Sequence, residues 1–300
     1  MSWITAPFAW LLKALYELTG SYGWAVILFG VVVNLILLPF MAKSKKSMMR
    51  STRLQPRIQE LQKRHEGNPQ KLNAEMQKLY SEEGVNPMSG CLWSMIPFPI
   101  LIALYYIIRV PLRYFMSLSE SVIAEITTLA GTLGFTAAEG SQAYEQIYLA
   151  KFIHEHWADF AGKFDGLIDL NYNFLHIDLA AQPSSLFSQF PGGGWPVWGA
   201  ILLPIISAGI QFAMSFITKR TNGSAPNGST KTMMYMMPLM TLWMGYILPS
   251  ALCIYWIANS AFSLIQEVTL NKYFNKILDR EETELSLIHI SEPTRQAEIS

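Results

Sequence analysis

Lys43 to Glu83 is a polar block rich in Lys, Arg and Gln, set between two runs too apolar for water. The run before it is Tyr22–Met41 (YGWAVILFGVVVNLILLPFM), and the run after it is Cys91–Ile108 (CLWSMIPFPILIALYYII). Twenty apolar residues make about 30 Å of helix, enough to cross the hydrocarbon of a bilayer. The block between them is therefore a loop on one side of a membrane. It predicts a helix over 43–65, a break at Gly67-Asn68-Pro69, and a second helix in QKLNAEMQKLYSEEG. Two helices joined by a short Gly/Pro turn form an antiparallel hairpin. Ten basic residues (Lys43, Lys45, Lys46, Arg50, Arg53, Arg57, Lys63, Arg64, Lys71, Lys78) face five acids (Glu60, Glu66, Glu75, Glu82, Glu83), a net charge of +5. A positive loop flanked by spans stays in the cytoplasm, and that orients everything else.

Composition agrees. Hydrophobic residues are 51% and charged residues 15%, against roughly 25% charged in soluble domains. The formal net charge of zero hides a segregation. Residues 111–194 carry three basic residues against nine acids, −6, and residues 218–231 carry three basic residues and no acid, +3. Basic, acidic, basic is the alternation of loops on opposite sides of a bilayer, with the scarcity of Lys and Arg outside as the informative part. The two cysteines, Cys91 and Cys253, both lie in apolar runs and read as small packing residues, not as a disulfide or metal pair.

In chain order, residues 1–20 read as an external amphipathic helix at the lipid–water interface. Lys13 and Glu17 interrupt its apolar run, Trp3, Trp10 and Tyr16 suit the interface, and no basic n-region or cleavage site marks a signal peptide. Residues 21–41 form span 1, 42–89 the hairpin, and 90–110 span 2, with Pro97 and Pro99 in its middle as a kink. Residues 111–194 form an external loop in which Ser119–Leu133 and Ala143–Phe164 predict surface helices. There, His154-Glu155-His156 lacks the spacing of a zinc helix and puts its imidazoles on different faces. Gly192-Gly193-Gly194 is a flexible entry to span 3 at 195–217, with no strand before it and no phosphate-loop lysine after it. A flexible cytoplasmic linker (218–231), span 4 (232–249), a tight turn at Pro249-Ser250, span 5 (250–270) and a cytoplasmic tail (271–284) follow. Residues 285–300 show no helical period and read as a non-native extension.

The polar residues inside the spans bear on function. No span carries an ionisable residue at its centre, where ion-coupled transporters place theirs. All five histidines lie outside the spans, which disfavours intramembrane proteolysis. What remains is uncharged: Asn34, Ser207, Gln211, Ser215 and Asn259, together with the kinking prolines. If they converge, they line a wet cavity. If they do not, each is packing glue between neighbouring helices, worth about 0.6–2 kcal/mol.

Four stretches carry a resemblance: PFAWLLKALYELTGSYGWAVILFGVVVNLILLPF, LQPRIQELQKRH with EMQKLYSEEGVNPMSGC, PFPILIALYYII, and PLMTLWMGYILPSALCIYWIANSAFSLIQE. In order and spacing they resemble the YidC family of membrane protein insertases, in its shorter, Gram-positive-like form. The resemblance implies an all-α polytopic protein of five transmembrane helices with a cytoplasmic hairpin and a kinked-helix core enclosing a hydrophilic groove. The groove would open to the cytoplasm and to lipid, receive the polar segment of a substrate, and be lined by Asn34, Ser207, Gln211, Ser215, Tyr255, Trp256 and Asn259. Lys43, Lys45, Lys46, Arg50, Arg53, Arg57, Lys63 and Arg64 would form the receiving surface. The chain departs from the family at Asn34, where members carry a basic residue, and in its tail, where Lys272, Lys276 and Arg280 meet Asp279, Glu281, Glu282 and Glu284 instead of a basic ribosome-binding extension.

The expectation is therefore a non-enzymatic insertase of a bacterial plasma membrane, N-terminus outside and C-terminus inside. Its partners would be nascent membrane proteins, the Sec translocon, the ribosome and the lipid bilayer, with no cofactor, no metal and no sequence-specific nucleic acid. The competing readings are a solute transporter or channel, and a non-catalytic assembly factor without a groove.

Overall fold

The computed structural model describes residues 2–84, 97–136, 142–222 and 228–299. Among the described residues helices dominate, and the strands form one two-residue pair, Asn173–Phe174 with Ile177–Asp178. Also among the described residues, three helices are long and apolar enough to cross a membrane, within Tyr22–Arg53, Gly194–Thr218 and Ser250–Glu281. A shorter apolar helix runs Pro97–Arg109, and a fourth long helix runs Gly228–Ile247. The chain divides into two compact units, residues 1–36, 96–215 and 227–262, and residues 37–95, 216–226 and 263–300.

The first unit is gathered around residues 169–181. Phe174 and Ile177 are cross-strand partners, and both are buried. Each occupies space that a glycine leaves open. A Cβ on Gly23, in the first turn of the Tyr22–Arg53 helix, would overlap the Phe174 ring, and one on Gly199 would sit 2.6 Å from Ile177 Cδ1. The next residues cap a third helix. Ala181 O and Leu179 O accept the N–H groups of Ser250 and Ala251 at 2.9 and 3.0 Å, satisfying donors that a helix start leaves orphaned. Upstream, Tyr16 Oη donates to Asp169 O at 2.7 Å and accepts from Asn171 N at 3.2 Å. The rings of Tyr16, Tyr22, Phe115 and Tyr172 meet edge to face at 4.9–6.2 Å, the arrangement the ring quadrupole favours.

Of the two surface helices expected within residues 111–194, the first is found nearly as expected and the second is divided. Ser119 caps a helix over Glu120–Thr132 by accepting from Val122 N. The predicted 143–164 helix is two pieces, Glu145–Glu155 and Trp157–Phe160, parted at His156. Ile147, Ala150 and Ile153, three residues apart, bury one face of the longer piece. The N-terminal helix Ser2–Thr19 buries Thr5, Ala9, Leu12 and Tyr16 and leaves Trp3 and Trp10 exposed. Pro97 and Pro99 lie at the start of the described part of expected span 2, the helix Pro97–Arg109. Residues 85–96, with Cys91 and the first half of expected span 2, lie outside the described residues.

The second unit holds the hairpin. The arm predicted to run 43–65 is interrupted. Its first part continues the helix Tyr22–Arg53, and after Leu54 a new helix, Gln55–Arg64, begins with Pro56 in its first turn. Pro56 has no N–H to give the preceding turn and disfavours helical geometry in the residue before it. Gly67, with φ 95°, turns the chain. Asn68 then caps Pro69–Glu82 by accepting from Lys71 N. Leu54 and Ile58 pack with Met76, Leu79 and Tyr80 between the arms. A second core joins Met49 to Phe274 and Leu278.

Two further expectations change. The linker 218–231 is helical at both ends, because one helix runs to Asn222 and the next starts at Gly228, with 223–227 outside the described residues. The last helix runs Ser250–Ile299, so the 285–299 stretch that lacks a helical period in its sequence is drawn into the helix preceding it.

Candidate functional site

Gly30 lies where the Tyr22–Arg53 and Ser250–Ile299 helices meet within the first unit: a Cβ built on it would stand 3.6 Å from the Tyr255 ring and 3.7 Å from Ala258 Cβ, ordinary contact distances. One turn further along both helices, Asn34 meets Asn259. Asn34 Nδ2 donates to Asn259 Oδ1 at 2.7 Å and to Gly30 O of its own helix at 2.8 Å. Asn34 is 7% exposed, so both of its amide protons are spent in a nearly dry place. An unpaired amide there would cost about 1–3 kcal/mol. The pair thus helps fix the register of the two helices within the first unit.

A second polar set joins the helices Gly194–Asn222 and Gly228–Ile247. Thr241 Oγ1 donates to Gln211 Oε1 at 3.0 Å and lies 3.1 Å from Met237 O, so its single proton is shared. Ser215 Oγ donates to Gln211 O at 3.0 Å. Gln211, expected to be buried, is half-buried, while Thr241 is buried. Ser207 is fully buried and donates to Pro204 O, on its own helix. Tyr255 and Trp256 are buried, Tyr255 against Gly30 and with its ring 6.3 Å from that of Phe29. Of the predicted lining, Asn34 meets Asn259 and Gln211 meets Ser215, with Thr241 bonded to Gln211, while Ser207, Tyr255 and Trp256 belong to neither set. Thr241 escaped the sequence reading because a lone Thr in the Met-rich run TMMYMMPLMTLWM carries no polarity signal of its own.

The basic residues assigned to the hairpin divide sharply. Lys45 makes a buried pair with Glu267 at 2.6 Å, the side chains 6% and 10% exposed. Lys46 and Arg50 both reach Glu281, at 3.0 and 2.7 Å, and Arg53 reaches Asp279. Hydrogen bonds from Arg50 and Lys46 hold the Glu281 carboxyl below its ordinary range. Four of the cations expected in the receiving surface thus reach the chain's own last helix. Arg57 pairs with Glu83 and Arg64 with Glu60, bordering a cleft of about 290 Å³ between the two arms. Among the described residues, Lys43 and Lys63 are exposed and make no ion pair.

His154 and His156 part company as their spacing requires. His154 Nδ1 meets Asp169, while His156 stacks on Phe152 with ring centroids 4.0 Å apart. Cys253 is buried, its thiol 3.6 Å from Gly245 O.

The profile of the family described as 60Kd inner membrane protein matches residues 14–277. A protein of Ralstonia nicotianae described as membrane protein insertase YidC is 28% identical over 269 residues, covering 90% of this chain and 36% of that protein. One of Treponema denticola with the same description is 27% identical over 267 residues, covering 89% of this chain and 37% of the other. The chain thus spans little more than a third of the length of these relatives. A solved structure of an active YidC insertase with its first transmembrane domain resolved is 22% identical, with a TM-score of 0.47, over 87% of this chain and 45% of that one. A profile match over that much of the chain, on helices long and apolar enough to span a bilayer, settles descent: this multi-pass membrane protein belongs to the 60Kd inner membrane protein family.

Proposed function

We propose that this chain is a membrane protein insertase. The observation that carries the reading is the Asn34–Asn259 bond, an uncharged polar contact between two apolar helices of a chain matched to the insertase family. Such a contact is labile in a useful sense. A polar segment of a substrate that reaches it exchanges its own hydrogen bonds for those of the two amides, instead of losing them to hydrocarbon. A charge at the centre of a bilayer costs about 2.5–3.5 kcal/mol on insertion scales, and a polar half-path lowers that cost. Gln211, Ser215 and Thr241 extend the path. Asn34 offers hydrogen bonds without charge, so acidic substrate segments gain no attraction from it. The chain sits in a bacterial plasma membrane with its N-terminus outside and its hairpin and C-terminus in the cytoplasm, and it works without cofactor or catalytic residue. Its substrates are nascent membrane proteins, delivered by the ribosome alone or with the Sec translocon.

A second reading is favoured by one observation. Both Asn34 amide protons are already satisfied, as packing glue in a groove-free assembly factor would have them. One experiment separates the two. A photocrosslinking side chain at position 211, and cysteines at 34 and 211, are introduced in turn into the full chain in its membrane. Insertase action predicts crosslinks to a nascent single-span substrate and modification of both cysteines by a membrane-impermeant thiol reagent added from the cytoplasmic side. Absence of crosslinks together with resistance to the reagent leaves the assembly factor.

A further inference from the structure

The hairpin at residues 173–178 has an unusual tip. Its register, Asn173 with Asp178 and Phe174 with Ile177, leaves two residues, Leu175 and His176, to make the turn. Both have positive φ, 53° and 64°, as the tightest hairpin turns demand, and Asn-Gly is the pair that takes this geometry easily. Leucine and histidine do not. The left-handed region crowds the Cβ of an ordinary residue against its own backbone, at a cost in free energy. Leu175 recovers none of this from the protein interior, because it is 64% exposed. A strained turn that presents a bare leucine gains its compensation from something outside the chain.

Its surroundings say what that is. Trp195 Nε1 donates to Leu175 O at 2.9 Å. The Trp24 ring stands edge-on to Phe174 at 5.6 Å. Each tryptophan lies in the first turns of a helix long and apolar enough to span a bilayer, and each is more than half exposed, at 56% and 53%. Tryptophan at that position marks the headgroup level. Gly23 and Gly199 seat Phe174 and Ile177 against the backbones of the same two helices. Gly199 lies five residues into its helix, about 7.5 Å along its axis. The exposed stripe continues down that helix through Trp198, Leu202 and Ile205, which share one face at helical spacing. The tip is thus continuous with a lipid-facing surface and fixed at its upper edge.

We propose that the Leu175–His176 turn is a membrane-interface anchor. Leu175 inserts among the headgroups of the leaflet where the Tyr22 and Gly194 helix ends emerge, locking residues 169–181 to the bilayer surface. The inference needs only that these helices span a membrane, and it stands or falls independently of insertase activity.

The test uses the full chain with Cys91→Ser and with buried Cys253 retained, reconstituted alone in nanodiscs of phosphatidylethanolamine and phosphatidylglycerol. A nitroxide is attached at Leu175→Cys, at His176→Cys, at Trp24→Cys as interface reference, and at Asp159→Cys as aqueous reference. Collision rates with oxygen and with a water-soluble nickel chelate are compared. The expected result is a severalfold preference for oxygen at 175, matching position 24 and placing the label about 5–10 Å inside the headgroup boundary, with a weaker preference at 176. Chelate accessibility at both 175 and 176 equal to that at 159 overturns the proposal, including the case in which another protein covers the tip.

Discussion

Residues 169–181 and residues 263–281 each gather a compact unit around themselves, by opposite chemistry. In the first unit the holding contacts are rings, glycine seats and backbone caps: Tyr16, Tyr22, Phe115 and Tyr172 interlock, and Ala181 and Leu179 receive the N-terminus of the last helix. In the second, the last helix is tied to the end of the Tyr22–Arg53 helix by a ladder of charges, Lys45–Glu267, Lys46 and Arg50 to Glu281, and Arg53–Asp279. Aromatic and steric fit is indifferent to salt and pH. Ion pairs depend on both wherever water reaches them. The contrast teaches that net charge alone misreads a basic segment. A block carrying +5 has four of its cations committed to the last helix and Arg57 and Arg64 paired within the hairpin, which leaves fewer for a substrate.

The largest test of that contrast lies at its driest ion pair. Glu267→Ala removes the carboxylate that Lys45, 6% exposed, meets at 2.6 Å, and removing one partner of a buried pair costs about 3–5 kcal/mol. The thermal midpoint of the purified protein in detergent should fall steeply. The double change Lys45→Met with Glu267→Leu should recover most of the loss, because apolar isosteres of a buried pair are close to neutral. Equal damage from the single and double variants would mean that packing, not charge, joins these helices.

The steric seats of the first unit come next. Gly23→Ala drives a methyl into the face of the Phe174 ring, and overpacking of this kind costs about 1–3 kcal/mol. Gly199→Ala meets Ile177 Cδ1 and Cγ1, at the flexible end of a side chain, and should cost less. Reversal of that order in the same melting experiment would show that the hairpin is not seated on the two backbones as described.

How much of this was readable in residue order depended on the range of the interaction responsible. Ser119 followed by a periodic apolar face declared its helix, and Gly67-Asn68-Pro69 declared the hairpin turn, because caps and turns are local. The interruption at Leu54 was written in Pro56, but the basic run around it dominated the reading. The strand pair at 173–178 was silent, since Leu-His gives no turn signal and its geometry is imposed from the helices on which it sits. Asn34, Gln211 and Asn259 each stood out as polar residues in apolar runs. That Asn34 would find Asn259, 225 residues away, and Gln211 would find Thr241, was tertiary information. The same holds for Lys45 and Glu267, 222 residues apart.

The polar pair within the spans tests the middle of the range. Asn34→Leu and Asn259→Leu, singly and together, form a double-mutant cycle. The coupling should be about 0.6–1.7 kcal/mol, the span found for hydrogen bonds between membrane helices. A coupling near zero would mean that the two amides merely coincide. A value well above that range would argue that they form a sealed structural lock and would weigh against their exchanging with a substrate.

The smallest effect is the one that water reaches. The Glu281 carboxyl is held below its ordinary value of 4.5 by hydrogen bonds from Arg50 and Lys46. A group with a depressed folded pKa contributes stability that is fully present above its unfolded value. That stability is lost as pH falls below 4.5 toward the folded value. Glu281 is 38% exposed and Arg50 45%, so screening keeps the contribution under about 1 kcal/mol. Glu281→Gln should therefore lower the neutral-pH midpoint by that small amount and leave the midpoint in acid almost unchanged, which flattens the acid limb of the melting profile slightly. Raising salt should produce the same flattening in the parent protein and no further change in the variant. If acid sensitivity survives the substitution in full, the exposed rungs of the ladder are ornamental, and the buried Lys45–Glu267 pair with the packing of Met49 on Phe274 and Leu278 ties the last helix in place.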